Sequence, residues 1–105
     1  IRVPVAVGDF MILDAVRQSG GTAIAAQESR IPEWMRLAVS SEGIPLCPES
    51  AACVGALQQL RQSGWIKPTD RVVLFNTGAA QKYVEAIRTD VPRLDKSKPV
   101  AWDKI

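Results

Sequence analysis

Histidine is absent from this chain. Neither a Ser-His-Asp relay nor a Cys-His pair can therefore be assembled from it, and a His-containing zinc site is excluded. Cysteine occurs only twice, as Cys47 and Cys53, at a spacing that is not CxxC. Two thiols alone make a poor metal site, and both are expected to be reduced thiols in apolar surroundings of a cytoplasmic protein. Long apolar runs are lacking too, so no membrane span is expected. The opening Ile1-Arg2-Val3-Pro4 has no basic segment leading into an apolar one, so no signal peptide is expected. Lysine and arginine are scattered over a net charge of +2. Without a basic stripe, nucleic acid is not an expected partner.

What is present is sufficient for one small domain. The chain has 105 residues, 47% of them hydrophobic and 23% charged. That is enough apolar material for a core and an ordinary share of charge. The start lacks Met and enters an apolar segment at once, as expected of a C-terminal piece of a longer protein.

The most telling stretch is Arg71-Val72-Val73-Leu74-Phe75-Asn76-Thr77-Gly78. Val72 to Phe75 is a continuous apolar run, the pattern of a strand covered on both faces. Asn76, Thr77 and Gly78 follow as a small polar turn, and ligands in α/β sheets collect beyond strand ends of this kind. Taken alone, the same residues read first as a plain turn with Thr77 capping a helix from Ala79 to Arg88.

Working from the N-terminus, Ile1 to Val7 reads as extended, and Asp9 as the cap of a helix over 10–17 ended by Gly20. Thr22 to Ala26 reads as a strand. Ser29 reads as the cap of a helix to Ser41 with Pro32 in its first turn, stopped by Gly43. Ile31, Met35 (or Trp34), Ala38 and Val39 form its apolar stripe. Ile44 to Cys47 is a brief extended piece. Pro48-Glu49-Ser50 opens a third helix, Ala51 to Gln62, whose small apolar residues suit close packing on a sheet. Trp65 and Ile66 are expected to pin the next loop to the body. Residues 89–105 read as a mobile tail. The alternation of strands and helices predicts an α/β fold with a mainly parallel sheet.

Three corners open helices: Gly8-Asp9, Pro48-Glu49-Ser50 and Asn76-Thr77-Gly78. Helix N-termini carry free N–H groups and attract anions, but Asp9 and Ser50 also serve as plain caps. On the residues alone, an anion-binding or assembly module with no catalysis stays open beside an enzyme.

The ordered set carries more than any one corner. Gly8-Asp9-Phe10, Gln18-Ser19-Gly20-Gly21, Ser41-Glu42-Gly43-Ile44, Cys47-Pro48-Glu49-Ser50-Ala51-Ala52 and Val72 to Gly78 together resemble the C-terminal part of the threonine synthases. That places the resemblance within the fold-type II pyridoxal phosphate enzymes, and it covers residues 1 to 88. It implies a lyase of threonine biosynthesis acting on a small amino-acid substrate, with a threonine dehydratase or β-replacement enzyme as the near alternatives. It implies pyridoxal 5'-phosphate as cofactor, with Thr77 on the pyridine nitrogen and Asn76 and Gly78 in the same turn. It sets Glu49 and Ser50 in the segment behind the ring. No catalytic residue of the family falls within these residues. The Schiff-base lysine would lie upstream, since Lys67, Lys82, Lys96, Lys98 and Lys104 stand in loop, helix or tail contexts. The remainder of its own chain is then the first partner, and an isolated piece is expected to self-associate through apolar faces and strand edges. Two departures stand out: Ala79-Ala80-Gln81-Lys82-Tyr83 lacks the family's further Gly, and Asp9 stands where Asn is common.

Overall fold

The computed structural model describes residues 3–87, 95–100 and 102. Three helices organise them: α1 (Asp9–Ser19), α2 (Ile31–Glu42) and α3 (Pro48–Gln62). Each boundary has a local cause. Gly20 ends α1 at φ 65°, its N–H reaching Arg17 O while the Gly21 N–H reaches Val16 O. That pair of bonds is the Schellman stop, which needs a residue tolerant of positive φ. Gly43 ends α2 at φ 68°, its N–H bonded to Val39 O. A 3-10 turn, Glu28–Arg30, leads into α2, so Ser29 lies inside that turn and caps nothing.

The core lies between α2 and α3. Ile31, Trp34, Met35, Leu46, Ala51 and Ala80 form the buried cluster. The contact is close because α3 carries Gly55 there: a β-carbon at that position would overlap the Trp34 ring. Trp34 is 1% exposed and donates Nε1–H to Gln58 Oε1 at 3.0 Å. This satisfies the one polar atom of a buried indole. Outside the core, Arg30 and Glu33 form a forked ion pair at 2.8 and 3.0 Å, and the guanidinium lies over the Trp34 ring.

The expected mainly parallel α/β sheet is not there. Among the described residues the one strand-like pairing is an isolated antiparallel bridge, Leu46 to Ala79. Thr22 to Ala26 and Val72 to Phe75 form no strand. An apolar β-branched run favours an extended backbone, but a strand also needs a ladder partner for its N–H and C=O groups. Here α3 side chains fill part of that role. Ala25 O accepts from Gln59 Nε2 at 3.2 Å, and Phe75 O accepts from Ser50 Oγ at 3.2 Å. Val72 to Phe75 is also not covered on both faces. Leu74 packs against the core, while Val73 and Phe75 are each 79% exposed.

The expected helix from Ala79 also fails to form. Two 3-10 turns replace it, Ala80–Lys82 and Val84–Ala86, and Arg88 lies outside the described residues. Its start is drawn away by the Leu46 bridge and by the Ala80 N–H bonded to Pro45 O at 3.3 Å. Thr77 thus has no helix to cap. Ile66 pins its loop as expected, but Trp65 is exposed. The helix α1 buries no residue at all. Most of the expected tail, residues 89–105, lies outside the described residues; within it, Asp95 accepts from Ser97 N at 3.0 Å and pairs with Lys98 at 3.2 Å. No helix among the described residues is long and apolar enough to cross a membrane.

Candidate functional site

The Pro48 corner and the Asn76 corner meet, and the residue between them is Cys47. Proline fixes φ and has no N–H, so it suits the first position of α3 and leaves the preceding residue as the cap. That residue is Cys47, whose Sγ accepts the Ser50 backbone N–H at 3.4 Å. A thiol sulfur as acceptor is unusual in a place where Ser, Thr, Asp or Asn are favoured. The cysteine therefore did not stand out from composition. The signal that could have found it was its place directly before a proline that opens a helix. Cys47 is 1% exposed. Cys53, expected to be buried, is exposed instead, its thiol turned to Glu49 O at 3.6 Å. Both cysteines are free.

Ser50 joins the two corners. Its Oγ donates to Phe75 O at 3.2 Å and accepts the Thr77 backbone N–H at 3.1 Å. Gly78 then runs against Cys47: a β-carbon at Gly78 would stand 3.3 Å from both Cβ and Sγ of the cysteine. The backbone of Thr77 is thereby fixed, yet its side chain is exposed, and among the described residues its hydroxyl has no hydrogen-bond partner. Asn76 turns the other way, onto an apolar groove of 400 Å³ beside Leu46, Val54 and Leu74.

Glu49 is half-buried and faces a cleft of 350 Å³ with Glu28, Ala52 and Cys53 along its wall. Its Oε2 is covered and makes no hydrogen bond. The carboxyl is held below the usual carboxylate range, first by its own backbone N–H at the head of α3 and also by the Tyr83 hydroxyl. Tyr83 is pushed the opposite way, above the ordinary phenol range, because its proton serves Glu49. Desolvation opposes the shift at Glu49 and adds to it at Tyr83. Tyr83 was not among the expected site residues, although it ends the Ala79-Ala80-Gln81-Lys82-Tyr83 stretch set against the family's pattern.

Of the expected set, Ser50, Thr77 and Gly78 come together, with Asn76 and Glu49 on opposite flanks. The Gly8-Asp9 corner stays apart on α1, where Asp9 Oδ1 accepts from Phe10 N at 2.8 Å and Gly8, not Asp9, precedes the helix. Among the described residues no group of three or more Cys, Asp or Glu could hold a metal ion.

The arrangement offers a neutral hydroxyl on a tethered turn, next to the head of α3. Such a hydroxyl can donate to, or accept from, a ring nitrogen without forcing its protonation state. The tether makes the turn a fixed base for such a contact, which is compatible with the nitrogen of a heteroaromatic ring.

Comparison with known proteins gives a consistent answer. Residues 1–78 match the family described as "Pyridoxal-phosphate dependent enzyme". A threonine synthase of Methanocaldococcus jannaschii is 35% identical over 82% of this chain and 21% of its own length. A cysteate synthase of Methanospirillum hungatei is 31% identical over 89% of this chain and 21% of its own length. A threonine synthase of Methanosarcina acetivorans is 36% identical over 74% of this chain and 19% of its own length. The chain thus spans about a fifth of the length of these curated relatives. No solved structure matches it.

Proposed function

This chain belongs to the pyridoxal-phosphate dependent enzymes, and we propose that it forms one wall of the cofactor site in a threonine synthase-like lyase. The whole enzyme would convert O-phosphohomoserine and water to threonine and phosphate. The observation that carries this reading is the Thr77 hydroxyl, exposed and unpartnered among the described residues on a turn whose backbone is bonded to Ser50. Pyridoxal phosphate supplies the electron sink for such chemistry when bound.

The residues here bind and orient. Thr77 offers its hydroxyl to the pyridine nitrogen and leaves that nitrogen uncharged, where a carboxylate would favour protonation. Gly78 lets the backbone come close, and Asn76 completes the turn. The first turn of α3, with Glu49, backs the ring. The lysine that carries the cofactor is assigned to residues outside this chain, so these 105 residues are not expected to turn over substrate by themselves.

Removing the hydroxyl by Thr77→Val in the longest natural form of the protein should weaken cofactor binding roughly tenfold, about the loss of one hydrogen bond, and should slow turnover. Absorbance titration with pyridoxal phosphate measures the first effect. Unchanged affinity and rate would remove the assignment. A second reading, an enzyme that makes a different amino acid, takes its support from the cysteate synthase that covers 89% of the chain. Assay of both activities on one preparation separates the two.

A further inference from the structure

Ser50 has no hydrogen-bonding capacity left for a ligand. Its single proton goes to the Phe75 carbonyl oxygen, and one lone pair takes the Thr77 N–H. The Cys47 thiol lies 3.2 Å from the same oxygen. Because the serine proton is already committed, the thiol is the donor in that contact and fills the second lone pair. The bond from the Ser50 backbone N–H to Cys47 Sγ makes the pair reciprocal. Ser50 is itself 1% exposed.

The two backbone groups that Ser50 grips lie on either side of Asn76. One oxygen therefore fixes the bend of the turn and, with it, the root of the Thr77 side chain. Gly78, seated on the Cys47 thiol, prevents the turn from moving towards α3.

We propose that Ser50 is a positioning residue: clasped by Cys47, it holds Thr77 in register for the cofactor without touching the cofactor itself. The inference rests on the reading of Thr77 given above and extends it to the residues behind the turn.

The test is a double-variant cycle in the longest natural form of the protein. Cofactor-free protein is titrated with pyridoxal phosphate and followed by absorbance, for wild type, Ser50→Ala, Thr77→Val and the double variant. Thermal unfolding of each cofactor-free protein is recorded alongside. Ser50→Ala should weaken cofactor binding roughly tenfold, and the double variant should bind within about twofold of the weaker single variant, because both changes remove one interaction. Ser50→Cys, which keeps the shape and weakens the bonds, should fall between wild type and Ser50→Ala and carries the same cycle should Ser50→Ala not fold. Losses that multiply in the double variant would overturn the proposal, since Ser50 would then act independently of Thr77. A lower unfolding temperature with unchanged cofactor affinity would overturn it too, leaving Ser50 a merely structural residue. A wild-type protein that takes up no cofactor would instead overturn the reading of Thr77, and this inference with it.

Discussion

Glu49 and Tyr83 show how two groups of opposite titration can define one pH window. The Glu49 carboxyl is held low, mainly by its own N–H at the head of α3, so its contribution is present above its unfolded-state value and is lost as pH falls through the folded one. The Tyr83 phenol is held high, mainly by its hydrogen bond to Glu49, so its contribution is complete below its unfolded-state value and is lost as pH rises through the folded one. The head of α3 should thus be most stable between roughly pH 4 and pH 10. Glu49→Gln should flatten the acid side of a stability-versus-pH curve measured by thermal unfolding, and Tyr83→Phe the alkaline side. An unchanged acid limb in Glu49→Gln would show that other carboxylates set it. At this scale much was legible. Pro48 marked a helix start and Thr77 a hydroxyl beside a glycine turn. What the sequence could not display was hydrogen-bond saturation: Ser50 looks as free as Thr77 on paper, and only the fold shows that its oxygen is used up while the other is not.

The pairing of α2 with α3 is the element that keeps the site in place, because α3 carries Cys47 or its neighbours on one end and Gly55 against Trp34 further along. Glycine in a helix interior costs about 1 kcal/mol relative to alanine, so Gly55→Ala taken alone should stabilise α3. Overpacking against a well-placed ring costs about 1–3 kcal/mol. The ring cannot easily give way, since its Nε1–H is bonded to Gln58 and its faces are buried. The clash should win, and Gly55→Ala should lower the unfolding midpoint of the protein. A raised midpoint would mean that the indole can move aside. Three helices were readable from glycine stops and proline starts, to within three residues at each end, while the helix expected from Ala79 gives way to two 3-10 turns. The strands were not, because an apolar run states a preference for extended backbone and says nothing of whether a partner is present. Thr22 to Ala26 and Val72 to Phe75 have the composition of strands and no ladder among the described residues.

Across the whole molecule the buried cluster is small for the apolar content. Val73, Phe75, Trp65 and the apolar residues of α1 stand in solvent, although a chain that is 47% hydrophobic could cover more. The sequence carried family membership further than it carried architecture. The ordered corners pointed to the pyridoxal phosphate enzymes, to which residues 1–78 are matched, while the alternation of elements pointed to a sheet that the described residues do not form. The difference has a physical basis. Short polar corners are recognisable from a few residues, whereas a sheet depends on hydrogen bonds between segments that no single segment specifies. The central claim is that this fold presents one wall of a pyridoxal phosphate site. The most direct test is a visible absorption spectrum of the longest natural form of the protein, loaded with pyridoxal phosphate, freed of unbound cofactor, and recorded before and after borohydride. A yellow band that borohydride abolishes is the predicted result. A protein that is colourless once unbound cofactor is removed would contradict the account.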